Sequence, residues 1–179
     1  MPAEYDVAAQ DVLQTPRLRL RRLHEGDAEF ILGLLNQPSF LQFIGDKGVR
    51  NLEDARSYIR SGPLTSYAEH GFGLYLVLLR DSGERIGVCG ILEKPALEHF
   101  DLGFAFVPAH WSKGYAEEAA CATLEHARDC GLARICAVVD PENAASLKLL
   151  HKLGMTRTGR VRLTPADKEL ELFELSLQR

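Results

Sequence analysis

The period of the apolar residues changes repeatedly along the chain, and each change marks an element. Leu18, Leu20 and Leu23 interleave with arginines, which predicts a strand over 18–23 with one buried face. Ala28, Ile31, Leu34 and Leu35 then recur at helical spacing, in a helix that Pro38 should end soon after Asn36. Asn51 followed by Asp54 has the form of a helix cap, and Ala55, Tyr58 and Ile59 supply the inward face of a second helix. That helix is expected to stop at Gly62-Pro63, with a further helix over 64–69. Residues 72–80 and 84–93 are β-rich and are split by Asp81-Ser82-Gly83, the pattern of an antiparallel hairpin.

A buried strand is expected over 101–107, and Ala116, Ala119, Ala120, Thr123, Leu124 and Ala127 predict a helix opening near Tyr115 and closed by Gly131. Residues 134–139 form the next strand, with Ile135, Ala137 and Val139 on one face. Pro141-Glu142-Asn143 leads into a helix with Leu147, Leu150 and Leu153 inward, closed by Gly154, and two strands finish the chain around 164–167. The last strand shows a phase break. Leu170 and Leu172 share one parity while Phe173, Leu175 and Leu177 take the other, so it carries a bulge or is covered on both faces.

With 179 residues and 46% hydrophobic content, the chain can bury one substantial core, read as an N-terminal tail over 1–14 and a single domain over 15–179. A net charge of −4 without a long run of like charge gives no reason to expect nucleic acid or an anionic membrane. The cluster Arg17, Arg19, Arg21 and Arg22 reads as the solvated face of a strand. No apolar run approaches the roughly 20 residues of a membrane span, and 1–14 lacks the marks of a signal peptide, so a cytoplasmic protein is expected. Cys89, Cys121, Cys130 and Cys136 form no C-x-x-C pair and sit in apolar patterns, as reduced core thiols do. The histidines lack metal-ligand spacing, so neither disulfide nor metal is expected.

The junction at 107–120 carries the most chemistry. An apolar strand runs through a short loop containing Gly114 into a helix of small residues. The first helical turn offers unpaired amides and the positive end of the macrodipole, and glycine lets an anion approach them closely. Other motifs fail. Gly71-Phe72-Gly73 enters a strand instead of opening a helix and lacks the third glycine of a dinucleotide fingerprint, and neither a Walker A loop nor a G-x-S-x-G elbow is present.

The opening Thr-Pro-Arg-Leu-Arg-Leu-Arg, Leu-Gly-Phe-Ala-Phe-Val-Pro at 102–108, Trp-Ser-Lys-Gly-Tyr-Ala-Glu-Glu-Ala at 111–119 and Asn-Ala-Ala-Ser…Leu-Gly-Met at 143–155 together resemble a GNAT-superfamily N-acetyltransferase of the RimJ/RimL-type branch. The resemblance covers 15–177. It implies a mixed α/β fold: a strongly twisted, mostly antiparallel sheet with flanking helices, whose central parallel pair, 101–107 and 134–139, splays apart to admit acetyl-CoA. It implies that the backbone of Phe104, Ala105, Phe106 and Val107 meets the pantetheine arm and that Ser112, Lys113, Gly114, Tyr115 and Ala116 cradle the pyrophosphate, with Lys113 and His110 as the basic groups of the loop. Asn143 would contact the pantetheine and Ser146 would lie near the thiol. Each position also has a plain structural use: Asn143 as helix cap, Ser146 bonded to local backbone, Trp111 packed over the loop, Lys113 solvated, and Glu117 and Glu118 favouring a helix start.

Acetyl transfer needs a neutral amine. At pH 7 deprotonation costs roughly 4 to 5 kcal/mol for a lysine of pKa about 10.4, but about 1 kcal/mol for an α-amino group near 7.7 to 8.0. The resemblance nominates Asp101 as general base or amine-binding carboxylate, with Glu93 and Glu98 as alternatives, and Ser146 as proton donor to the leaving thiolate, in a direct attack without a covalent enzyme intermediate. The acceptor is a primary amine, either a protein N-terminus or a small amine, bounded by 40–49, 64–72 and 93–100; the chain would be a monomer or homodimer. A catalytically silent acyl-CoA sensor is the alternative of a different class.

Overall fold

The computed structural model describes residues 11–178. Eight strands form one sheet in the order β1-β2-β3-β4-β5-β6-β8-β7. They are β1 (Asp11–Gln14), β2 (Leu18–Arg22), β3 (Leu74–Leu79), β4 (Arg85–Leu92), β5 (Asp101–Phe106), β6 (Arg134–Val139), β7 (Thr156–Val161) and β8 (Leu170–Ser176). Every adjacent pair is antiparallel except β5 and β6. The helices are α1 (Ala28–Leu35), α2 (Pro38–Phe43), α3 (Leu52–Ile59), α4 (Thr65–His70), α5 (Tyr115–Asp129) and α6 (Ala144–Lys152). This is the expected mixed α/β architecture with one central parallel pair.

The hydrophobic run of β3 has no polar face because the sheet is covered on both sides. Tyr75 and Val77 pack with Ala119, Ala120 and Leu124 of α5, while Leu74, Leu76 and Leu78 pack with Ile31 and Leu34 of α1 and Ala55 and Ile59 of α3. Burying each such leucine or isoleucine contributes about 1.5–3 kcal/mol. Small residues on the inner face of α5 bring that helix close to the strands, and with it the loop that precedes it.

Several expectations need correction. Asp11–Gln14, read as part of a tail, is an edge strand, with Val12 and Leu13 packed on the core; the rest of that tail, 1–10, lies outside the described residues. Pro38 does stop α1 from continuing, yet it also occupies the first turn of α2, where its missing N–H costs nothing. The chain does not stop at Gly62-Pro63 either. It passes through a π turn over Arg60–Leu64 directly into α4, the widened turn accommodating Pro63, and Thr65 Oγ1 donates to the Arg60 carbonyl at 2.9 Å. The phase break near the C-terminus is no bulge in β8, which pairs with β6 without interruption: Phe173 is buried on one face and Leu170 and Leu172 are half-buried on the other, while the register slip lies in β7, between Arg157 and Gly159.

The arginines of β2 are not one solvated face. Arg21 is buried and forms a bidentate pair with buried Asp27, both contacts at 2.8 Å. Asp27 also accepts from the His24 amide at 3.0 Å. Burial alone would raise its pKa, but the Arg21 and His24 bonds hold it below the ordinary carboxylate range. The thiols divide as well: Cys89 and Cys136 are buried, whereas Cys121 and Cys130 are exposed, and all four are free.

Candidate active site

The parallel pair is joined at one point only. The Cys136 amide donates to the Phe100 carbonyl at 2.9 Å, and Asp101 stands opposite Cys136, after which β5 and β6 part. On the other side β5 remains fully paired with β4 from Asp101 to Phe106. Backbone groups alternate along a strand, and Val107 N donates to Ile86 O at 2.9 Å, on the β4 side. Phe104 and Phe106 therefore turn their amides into the gap, whereas Ala105 and Val107 turn theirs towards β4. The Phe106 carbonyl is already used, accepting from Trp111 Nε1 at 2.8 Å. Trp111, expected to pack over the loop, is 47% exposed and ties the loop to β5 through that bond.

The gap opens into a cleft of about 600 Å³ whose walls include Phe104, Ala116, Asn143 and Ser146. A smaller cavity of about 190 Å³ adjoins it, lined by Ser112, Gly114, Tyr115 and Ala116 of the loop and by Lys148 and Lys152 of α6. Ser112 (φ 60°) and Gly114 (φ 82°) both adopt left-handed backbone, which curls the loop beneath the first turn of α5. Glu117 and Glu118 of that turn are neutralised rather than left facing an anion: Lys152 Nζ lies 2.9 Å from Glu117, and Arg17 Nε 2.9 Å from Glu118. Arg17 also donates to the Lys113 carbonyl at 2.9 Å and stacks 4.5 Å over the Tyr115 ring, fixing the loop from the residue just before β2.

At the other end of the cleft lies Asp101, only 1% exposed. Its Oδ2 pairs with Lys94 Nζ at 2.7 Å and its Oδ1 has no hydrogen-bond partner. Burial pushes the Asp101 pKa up, opposed by Lys94, by the Val138 amide, which is near enough to favour the charge, and by Lys47. Lys47 belongs to the same cleft. Much of its surface is open to water, yet its ammonium is crowded enough by the walls, and close enough to Lys94, for its pKa to be pushed down. Asp140, buried at the end of β6, is paired with Lys168, which also donates to the Gln42 carbonyl at 2.8 Å. Phe40, Phe43, Ile44, Tyr58 and Leu163 make this end of the cleft apolar.

Comparison with known proteins decides the family. Residues 17–156 match the family model described as Acetyltransferase (GNAT) domain. The chain belongs to the GNAT acetyltransferases. It is 30% identical over 154 residues to YoaA, an uncharacterized N-acetyltransferase of Bacillus subtilis (strain 168), a match spanning 84% of this chain and 86% of YoaA. The acetyltransferase from Agrobacterium tumefaciens str. C58 superposes with a TM-score of 0.75 at 27% identity, over 91% of this chain and 92% of that one. RimL, a ribosomal L7/L12 alpha-N-protein acetyltransferase solved in complex with coenzyme A, superposes with a TM-score of 0.78 over 93% and 98% of the two chains. At 16% identity that likeness is one of fold.

In this GNAT chain the structure gathers Asp101, Phe104, Asn143 and Ser146 around one cleft and Ser112, Gly114, Tyr115 and Ala116 around its neighbour. Asn143 does cap α6, accepting from the Ser146 amide at 3.2 Å, while the Ser146 hydroxyl forms no hydrogen bond among the described residues. Lys113 is exposed and lies outside the lining of the small cavity; its contribution to the loop is its carbonyl. His110 faces Glu84 at 3.1 Å. Glu93 is held by His70 at 2.8 Å, and neither Glu93 nor Glu98 lines the cleft. The sequence reading missed Arg17, Lys47, Lys94, Lys148 and Lys152. Arg17 and Lys94 could have been suspected only from contacts made across tens of residues, but Lys148 and Lys152 follow Asn143 on one helix at spacings that place them one turn apart.

Proposed function

We propose that the protein transfers an acetyl group from acetyl-CoA to a primary amine, a small amine or a protein N-terminus, in the manner of the RimJ/RimL-type branch and by direct attack. The reading rests on a buried carboxylate with one free oxygen, set where two parallel strands part, in the same cleft as an unpaired strand edge and a free serine hydroxyl. The residues present suit a coenzyme A thioester: the Phe104 amide and carbonyl for the amide groups of its arm, and the amides from Ser112 to Ala116 with Lys148 and Lys152 for its phosphates. When bound, acetyl-CoA supplies the activated acyl carbon.

Asp101 binds the incoming ammonium through Oδ1 and takes one proton from it, the burial-raised pKa making the carboxylate a stronger base than a solvated one. The amine nitrogen then bonds to the acyl carbon as the C–S bond breaks, and the nitrogen's second proton reaches the departing sulfur through the Ser146 hydroxyl. Amides of the splayed strand edge are positioned to hold the developing oxyanion. Thiol release measured over a panel of amines and N-terminal peptides tests the reading. Ser146→Ala should lower turnover while the rise in melting temperature caused by acetyl-CoA persists. A full thermal shift with no turnover on any amine would mean a silent acyl-CoA-binding module instead.

A further inference from the structure

The two lysines that line the acceptor end of the cleft are not equally engaged. Lys94 is paired with Asp101 at 2.7 Å, whereas Lys47, which lines the same cleft, makes no hydrogen bond or ion pair among the described residues. The nearby acids do not supply its partner. Asp140 is committed to Lys168 and Asp46 to Arg50, Asp167 and Asp101 act on Lys47 only through space, and Glu142, which also lines the cleft, makes no ion pair with it. When Asp101 takes the proton of the amine it becomes neutral, and Lys94 then loses the charge it was paired with. Lys94 would then have no paired anion and Lys47 only the distant pull of Asp167, an arrangement that a carboxylate on the substrate would improve.

Resting on the reading of Asp101 as the group that receives the amine, we propose that the acceptor is a free α-amino acid with an apolar side chain. Its amine meets Asp101 Oδ1, its carboxylate meets Lys47 and Lys94, and its side chain lies against Phe40, Phe43 and Tyr58. In an α-amino acid, amine and carboxylate share one carbon, so binding the first at Asp101 brings the second beside the lysine bonded to that same carboxyl group. A peptide N-terminus offers a neutral carbonyl at that point and leaves Lys94 without a paired anion.

The test compares kcat/KM, at saturating acetyl-CoA, for leucine and phenylalanine, for their carboxamides, and for a peptide beginning with phenylalanine. One charge-assisted contact of about 1.5–3 kcal/mol corresponds to a preference of roughly 10- to 150-fold for the acids over the amides. Lys47→Gln should collapse that ratio and Lys47→Glu should invert it. Lys47 lies on a loop and is exposed, so both variants should fold, and an unchanged acetyl-CoA thermal shift would verify the donor site in each. Carboxamides or the peptide turning over as well as the acids would overturn the inference and leave the N-acetyltransferase reading standing. An acid preference that Lys47→Gln leaves intact would overturn the role given to Lys47. Thiol release with none of these compounds would overturn the inference, and the wider panel of amines would then decide the N-acetyltransferase reading.

Discussion

On the donor side of the cleft most of the groups that face the gap are main-chain, the Phe104 edge of β5, the left-handed residues Ser112 and Gly114, and the first turn of α5, with Lys148 and Lys152 of α6 the charged side chains beside them. On the acceptor side they are side chains drawn from separate segments, Lys47 after α2, Tyr58 on α3, Lys94 after β4, Asp101 on β5 and Leu163 after β7. A main-chain site depends on conformation and close approach, so one contiguous stretch with glycine and small residues builds it. A side-chain site depends on identities that only the fold assembles. The first can accept one coenzyme in many proteins, and the second can be altered residue by residue to change the amine.

The sharpest break in this contrast is Gly114→Glu. At φ 82° any side chain is strained, and a Cβ there would lie 3.2 Å from Arg17 Nη2, the side chain that secures the loop. The carboxylate would also place a negative charge at the turn proposed to hold the phosphates. Acetyl-CoA should cease to raise the melting temperature, and kcat/KM should fall by more than about 100-fold through misplacement of the donor. A retained thermal shift would show that the phosphates bind elsewhere.

Asp101→Asn should separate the two halves, lowering kcat by about 10²–10³-fold while the acetyl-CoA thermal shift persists. The pH dependence has a definite sign. Burial raises the Asp101 pKa, and the ionised form is the one that accepts a proton, so activity rises with pH through an acid limb lying above the ordinary carboxylate value of 3.8. Lys94→Met removes the main charge opposing that rise and should move the limb to higher pH. A profile of kcat/KM with its limb unmoved would assign the base to another group.

The same contrast explains what could be read in advance. The helix opening at Tyr115, its glycine, the strand before it and the Asn143 cap all follow from local pattern, because a positive φ or an unpaired amide leaves a mark in neighbouring residues. Asp101 was nominated through resemblance, but its burial, free oxygen and pairing with Lys94 come from β5 and the loop before it folding together. Lys47 sits between two glycines in a stretch that gave no periodic signal, and nothing in its surroundings along the chain distinguishes it from a solvated lysine. Pro63 misled for a related reason: proline predicts a break, and only the packing of Ile59 and Tyr67 on either side explains why a π turn forms instead.

Arg17→Ala reaches the donor site from outside. It removes the bond to the Lys113 carbonyl, the Glu118 pair and the contact with the Tyr115 ring, and leaves Glu118 free to repel the phosphates. Because Arg17 is about half exposed, the pair and the ring contact are each worth only about 0.5–1 kcal/mol. The KM for acetyl-CoA should rise about tenfold with kcat nearly unchanged, since the loss falls on binding and not on the reacting groups. A drop confined to kcat would place Arg17 in the chemistry.

Trp111→Phe should have the smallest effect. The ring stays, and the bond from Nε1 to the Phe106 carbonyl is lost, freeing that carbonyl to face the gap. At about 0.5–1.5 kcal/mol for a neutral hydrogen bond, partly recovered by water at this exposed position, the KM for acetyl-CoA should rise about threefold. Catalysis on a bound donor should be unchanged, because the Phe104 groups and Ser146 do not depend on the indole. If kcat fell instead, the strand edge would be relaxing along its length. The strand edge of the donor site would then depend on the indole, as the acceptor site depends on its side chains.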